Sequence, residues 1–449
     1  MSKDADVIVV GGGPAGIITA LTARRYYPDK FITLIKDKET GIIPCGIPYM
    51  FHSLQSPGDN KMGTGALDQN DIRVITDEVT TIHRKEKTVE TGNFDTMHYE
   101  KLVLATGSKP IVPHIPGYDL EGVFPIHKDL GFMQHLVGKV KEAKSVLILG
   151  GGFIGVELAD EIAGIQGVQV HLIEMLPDLL ANSFDAEFGE MAEEKLRNKD
   201  VNIMKGSKVT EFVGGEKVTE VKLSDGKSIP VDYVVIGIGA LPNTTLAENA
   251  GLHLYDGSGI WVDEYMRTDD SDIFAVGDCA AKRDFFTRAK TPVMLASTAT
   301  AEARIAGANL FKLKVVRENK GTIAIYSTYV DGLVLGSAGL TERSAKKENF
   351  EIITGMAEGP DKHPGALPGT HQSMVKLIFS KNSETIMGGQ VAGGPAAGEM
   401  INIIGAAIQK RASRTEFETM QMATHPYLTA APTKYPLVIA AQNANHTNS

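Results

Sequence analysis

The hydrophobic positions fall into a unit that occurs twice, followed by a section of different character. Asp6-Val7-Ile8-Val9-Val10 is a short β-branched run that stops at Gly11-Gly12-Gly13-Pro14-Ala15-Gly16, and Ile17–Tyr26 then reads as a helix. The order repeats with Ser145–Leu149, Gly150-Gly151-Gly152-Phe153-Ile154-Gly155 and the helix Val156–Ile165. Phe31–Ile35, Lys101–Leu104, Val168–Ile173 and Ile273–Val276 read as further buried strands. The longest apolar run, around Val234–Leu241, has the length of a strand and falls well short of the roughly 20 residues of a membrane span. After about residue 325 the pattern changes: Ile323–Tyr329, Leu333–Ser337, Phe350–Met356, Val375–Ser380 and Thr385–Val391 read as antiparallel strands, with a helix at Glu399–Lys410. The predicted fold class is α/β, two Rossmann-like domains followed by an α+β domain.

A strand, a Gly-x-Gly-x-x-Gly turn and a helix in this order suit a dinucleotide. The first glycine permits the sharp turn, the second lets backbone N–H groups approach a pyrophosphate, and the third lets helix and strand pack closely. The helix N-terminus adds partial positive charge at the phosphates. The expected contacts are Gly11, Gly13 and Gly16 in the first unit, and Gly150, Gly152 and Gly155 in the second. In the second unit Glu174 closes the next strand, where a carboxylate accepts from the ribose hydroxyls and repels a 2′-phosphate. Met175-Leu176-Pro177 after it offers no arginine, so NADH is expected over NADPH. The first unit carries Lys36 at the corresponding place. Either Asp37 holds the ribose from a shifted register or another contact does.

Composition bounds the reading. The 449 residues exceed one ordinary core, so two or three domains are expected. A formal charge of −10 argues against nucleic acid and against a polybasic membrane anchor. With no signal-peptide layout at the N-terminus, the expectation is a soluble cytoplasmic protein. Two cysteines, Cys45 and Cys279, are too few for a disulfide scaffold or a cysteine-built metal site.

Six motifs in order resemble the flavoprotein disulfide reductases that bind two dinucleotides: Gly11–Gly16, Cys45-Gly46-Ile47-Pro48-Tyr49, Ala105-Thr106-Gly107-Ser108, Gly150–Glu157, Ala275-Val276-Gly277-Asp278 and Leu295–Ala299. Within that family, the pyridine nucleotide-disulfide oxidoreductases, the chain is most similar to the single-cysteine branch of NADH oxidases, coenzyme A-disulfide reductases and NADH persulfide reductases. The resemblance implies FAD on the first fingerprint, contacted by Pro14, Val79, Thr106, Gly107, Asp278 and Ser297, and NAD on the second, with Gly239 near the end of its domain. It implies an FAD domain at 1–115 and 252–322, an inserted NAD domain at 116–251, and a dimerisation domain at 323–449. Phe153 would cover the flavin and swing aside for nicotinamide, with Glu157 one turn on.

The resemblance also makes Cys45 the redox centre. Its glycine- and proline-flanked setting is expected to start a helix, whose dipole would lower the thiol pKa. Two-cysteine members carry a second cysteine five residues on, where this chain has Met50, so the partner sulfur or oxygen must come from the substrate. Cys279 is expected only to pack. Arg24 and Arg25 end the first helix where relatives meet coenzyme A phosphates, although the tyrosine such enzymes carry before a Pro-Gly is missing from His363-Pro364-Gly365. Thr424-His425-Pro426-Tyr427 resembles the loop that supplies an acid–base His425 across a homodimer, with Tyr427 in the same pocket; the usual carboxylate partner is replaced by Ala430. The expected activity is transfer of reducing equivalents from NADH through FAD and Cys45 to a persulfide, polysulfide or coenzyme A disulfide. The alternatives are an NADH oxidase working through a Cys45 sulfenate, and a flavin electron-carrier subunit.

Overall fold

The computed structural model describes residues 4–93, 96–255, 257–317 and 320–444. Its first body is a parallel sheet in which Ala5–Val10 lies between Ile32–Lys36 and Met97–Leu104, with Arg73–Thr76 and Ile273–Ala275 outside them. Ala5–Val10 is buried almost throughout, as a central parallel strand covered on both faces must be. The helices Pro14–Tyr26 and Ala296–Asn309 pack on this sheet and on each other. Gly307 makes that approach possible, because a Cβ there would stand 2.8 Å from the Thr19 carbonyl oxygen.

The second body is an all-parallel sheet in the order Val123–Pro125, Tyr233–Ile236, Ser145–Leu149, Gln169–Ile173, Asn202–Met204. Its fingerprint helix, Phe153–Ala163, starts three residues before the predicted Val156. The two chain crossings between the bodies run side by side, Ser108–Pro110 pairing antiparallel with Ala240–Pro242. Thr106 Oγ1 donates to the Asn243 carbonyl at 2.7 Å, and Asn243 N–H donates to the Gly107 carbonyl at 2.9 Å. The expected boundary at 252 needs correcting. Ala247 and Leu252 lie in the first body's core, and the helix Thr245–Asn249 packs on the strand Val79–His83. The chain has returned by Asn243.

The third body is an antiparallel sheet in the order Ile325–Val330, Leu333–Gly339, Ile386–Gly393, Gln372–Ser380, Ile352–Pro360. All five predicted strands are present, and the helices Ala397–Lys410 and Pro436–Asn443 bury their apolar faces against them. The fold is thus mixed α/β with two Rossmann-like sheets and a C-terminal α+β domain.

Both fingerprints are built alike. A Cβ on Gly16 would stand 1.9 Å from the Gly11 carbonyl oxygen, and one on Gly155 would stand 1.7 Å from that of Gly150. Gly11 and Gly150 adopt φ of +119° and +109°, which only glycine tolerates readily. Gly16→Ala is therefore expected to push the first helix off its strand, lowering stability by roughly 1–3 kcal/mol and weakening the dinucleotide site. Thermal unfolding and bound-flavin absorbance check both effects.

Candidate active site

The close-packed glycines leave the middle one of each turn facing outward. A Cβ on Gly13 or on Gly152 would meet nothing within 4 Å, so each turn offers bare backbone at a helix N-terminus. That open cradle fits a pyrophosphate. Glu174 stands beside the second cradle, buried, its Oε2 accepting from Gly151 N–H at 2.6 Å and its Oε1 from Leu176 N–H at 2.7 Å. These bonds fix a negative charge at the place predicted for the ribose. Beside the first cradle the Lys36 side chain packs over Gly12 and donates to the Glu39 carbonyl at 2.7 Å, while Asp37 is exposed. Val79 is buried at the start of its strand, Ser297 is exposed in the first turn of its helix, and Gly239 has a φ of +104°.

Asp278 sits on the turn Gly277–Cys279 and accepts from Ser108 Oγ at 2.8 Å and from Lys128 Nζ at 3.1 Å. The turn itself is clamped by a buried ion pair. Lys282 Nζ donates to the Gly277 and Ala280 carbonyls and lies 3.0 Å from Glu302, which accepts from Gly277 N–H. Cys279 beneath it is fully buried, a packing role as predicted.

Cys45 lies in the turn Pro44–Gly46, exposed, and is followed by a second short turn, Pro48–Met50. The expected helix start is absent. Pro48 has no N–H to give the Pro44 carbonyl, so two 3₁₀ turns replace an α-helix and no macrodipole points at the sulfur. The predicted lowering of the thiol pKa is corrected accordingly. Crowding by neighbouring atoms at an otherwise open surface raises it, the Glu157 and Asp278 carboxylates add to the rise, and Lys128 and a backbone hydrogen bond to the sulfur oppose them. Met50, at the missing cysteine's place, is fully buried, its sulfur accepting from Asn60 Nδ2 at 3.3 Å.

The structure thus gathers Cys45, Glu157, Asp278 and Lys128 from four separated segments. Burial, helped by the neighbouring Glu161 and Asp160 carboxylates and opposed by a 2.7 Å hydrogen bond from Thr328 Oγ1, pushes the Glu157 carboxyl up to about 7. The Tyr49 phenol is likewise held far above its ordinary value by burial and the same carboxylates. Glu161 is tied to the cysteine loop, accepting from Ser53 N–H and Oγ, each at 2.7 Å. Phe153 is half-buried, stacked on Tyr326 at 4.8 Å between centroids and edge-on to Phe184 at 6.0 Å. Lys128, Tyr326, Thr328 and Phe184 escaped the sequence reading. The only signal was that Tyr326 and Thr328, two apart on a strand, share a face.

Other predicted residues lie elsewhere. Arg24 corrects the expectation of a phosphate contact, because its guanidinium already donates to the carbonyls of Asn70, Pro28, Lys30 and Asp71 at 2.7–2.9 Å. It ties down the helix end. Arg25 is exposed. His425 is bonded within its own exposed loop, its Nδ1 accepting from Tyr427 N–H at 3.3 Å, with Tyr427 exposed beside it. The His363 segment braces this loop, His363 N–H donating to the Pro426 carbonyl at 3.1 Å and Nδ1 lying 2.9 Å from that of Thr429.

With this geometry in hand, comparison with known proteins is informative. The family profile "Pyridine nucleotide-disulphide oxidoreductase" matches residues 5–303, and that of the family's dimerisation domain matches 325–435. The chain is 31% identical to an NADH oxidase of Methanocaldococcus jannaschii, over 97% of this chain and 98% of that one. It is 29% identical to an NAD(P)H coenzyme A polysulfide/persulfide reductase of Pyrococcus horikoshii, over 86% and 87%. Among solved structures, an NAD-dependent persulfide reductase from A. fulgidus superimposes with a TM-score of 0.90 at 29% identity, covering 98% of this chain and 83% of that one. A water-forming NADH oxidase from Lactobacillus brevis bound to NADH gives 0.90 at 27%, covering 98% of each.

The raised Glu157 carboxyl has a consequence for stability. Between its unfolded value near 4.5 and about 7 the folded state holds a proton that the unfolded chain releases, so this group's contribution to stability falls as pH rises through that window. Glu157→Gln is expected to flatten that part of the profile and to leave the protein more stable than the parent at pH 8. Thermal unfolding at pH 5 and pH 8 reads it; an unchanged difference between the two would contradict the burial argument.

Proposed function

The chain belongs to the pyridine nucleotide-disulphide oxidoreductase family and is an NADH-dependent flavoprotein oxidoreductase, and on that premise we propose that it reduces a sulfur substrate through Cys45. The observation that carries this reading is the placement of one exposed thiol beside Glu157, Asp278 and Lys128, with buried Met50 where a second cysteine would have to be. When bound, FAD on the first cradle and NADH on the second supply a hydride path and deliver an electron pair. The first cradle, Asp278, Thr106, Gly107, Val79 and Ser297 would hold the flavin; the second cradle, Glu174 and Gly239 would hold NADH.

In the proposed reaction the Cys45 thiol gives up its proton as its sulfur attacks the outer sulfur of a persulfide. A bond forms between Sγ and that sulfur, the original S–S bond breaks, and the leaving thiolate takes a proton. Two electrons then return Cys45 to a thiolate and release hydrosulfide. Glu157, which keeps a proton to about pH 7, would supply one proton, and Lys128 would steady negative charge. His425, on its exposed loop in the dimerisation domain, would supply the other across a homodimer, worth about 10²–10⁴-fold. Arg25 and Tyr427 are candidate contacts for a coenzyme A-type substrate. No helix among the described residues is long and apolar enough to cross a membrane. A second reading, reduction of dioxygen through a Cys45 sulfenate, draws on the similarity to NADH oxidases.

Anaerobic reduction by NADH followed by mixing with a persulfide or with air separates the two. Reoxidation by persulfide is expected to be at least tenfold faster, and the reverse order would move the assignment to the oxidase. Cys45→Ser is expected to keep NADH reduction of the flavin and to lose sulfur-reducing turnover by 10³-fold or more, roughly as loss of a covalent nucleophile does elsewhere. Full turnover in that variant would falsify the sulfur-relay reading. Glu174→Ala removes the charge facing the ribose, and its NADH-over-NADPH preference in kcat/KM is expected to fall by about 10- to 100-fold, the range of one or two charged hydrogen bonds. An unchanged ratio would show that Glu174 does not select the nucleotide.

A further inference from the structure

A buried ionic node joins the second and third bodies at a point that no step proposed above uses. Lys376, in the strand Gln372–Ser380, is 4% exposed, and its ammonium lies 3.0 Å from Asp185, 2.7 Å from Glu187 and 2.8 Å from Glu342. Gln390, fully buried in the strand Ile386–Gly393, grips Asp185 twice. Its Oε1 accepts from Asp185 N–H at 2.7 Å, and its Nε2 donates to Asp185 Oδ2 at 2.6 Å. The helix Glu342–Lys347 adds N–H donors from Glu342 and Arg343 to the same carboxylate, each at 3.1 Å. Every acceptor of Asp185 faces a donor. Accordingly its carboxyl is held below its usual range by Lys376, Arg343 N–H and Gln390 despite burial, and the same carboxylates hold the ammonium above its own.

A buried pair of this kind is a poor device for stability alone, since a well-packed apolar substitute often does as well. Its position suggests a different use. Asp185 directly follows Ser183 and Phe184. Phe184 packs edge-on against Phe153, and Ser183 shares a hydrogen bond with the Tyr326 hydroxyl, whose ring stacks on Phe153. Both aromatic neighbours of Phe153 are thereby referred to the third body, Tyr326 by its strand and Phe184 through Asp185.

We propose that Asp185, Gln390 and Lys376 are positioning residues that set where Phe153 rests, and through it how readily nicotinamide gains access to the flavin. The inference rests on the reading of Phe153 as the ring that covers the flavin. In that role the node acts on reduction by NADH and leaves flavin binding and the sulfur step alone.

The test is a double-mutant cycle on the flavin-loaded enzyme. The observed quantity is the anaerobic stopped-flow rate of flavin reduction across a range of NADH concentrations, for the parent, Gln390→Leu, Phe153→Ala and the double variant. Gln390→Leu is expected to change the apparent affinity for NADH or the limiting reduction rate by about tenfold, the scale of one lost charge-assisted hydrogen bond, with the flavin spectrum unchanged. In the Phe153→Ala background the same substitution is expected to do nothing further. An effect that persists in full there overturns the node's action through Phe153 while leaving the gate in place. A Phe153→Ala protein reduced as fast and with the same NADH affinity as the parent takes down the gate reading and the inference with it. Should Gln390→Leu not fold, Asp185→Asn, which keeps the shape and gives up the charge, replaces it in the cycle with the same expectations.

Discussion

The helix Phe153–Ala163 is held from three sides, and that grip determines where the chemistry can occur. Its first residue stacks on Tyr326 of the third body, Glu157 accepts from Thr328 on the same strand, and Asp160 accepts from Asp331 N–H one turn further. On its other flank Glu161 takes two hydrogen bonds from Ser53, so the helix also fixes the loop that carries Cys45. Beneath it, Gly155 touches the turn at Gly150 so closely that no side chain fits between them. A helix so constrained cannot rotate to relieve the crowding of its carboxylates. Buried there beside Glu161 and Asp160, Glu157 keeps its proton to about neutrality, and once ionised its charge bears on Cys45 and Tyr49 alike.

Magnitudes decide which of these contacts governs. A stacked aromatic pair is worth about 0.5–1.5 kcal/mol beyond its burial, whereas stripping the partner from a buried charge costs roughly 3–5 kcal/mol. The stack of Phe153 on Tyr326 is thus the weaker joint, while the ionic node behind Phe184 and the carboxylate ties along the helix are the stronger ones. Weak contact at Phe153 and strong contact around it is what the proposed gate requires, one side chain free to swing while its surroundings stay fixed.

Much of this was legible in the chain, for physical reasons. Both fingerprints show in sequence because their glycines answer to local geometry, a positive φ and a contact between residues five apart, that any reader of the chain can anticipate. In the third body the outer strands Ile325–Val330 and Ile352–Pro360 alternate between more and less buried positions, whereas Leu333–Gly339 and Ile386–Gly393 are buried nearly throughout. The helix expected at Cys45 fails on Pro48, a signal present in the sequence and overridden by the dipole argument. Arg24 could not have been read correctly, because two of the carbonyls it satisfies belong to Asn70 and Asp71, remote in the chain. The same holds for Asp185 and Lys376, whose meaning exists only once two domains meet.

The account turns on Cys45 carrying the substrate's sulfur. The most direct measurement is mass spectrometry of enzyme quenched in acid during anaerobic turnover with NADH and a persulfide, mapping both cysteines. The account predicts one added sulfur atom on Cys45, absent when persulfide is omitted, and an unmodified Cys279. Sustained turnover with Cys45 unmodified at every quench time would contradict it.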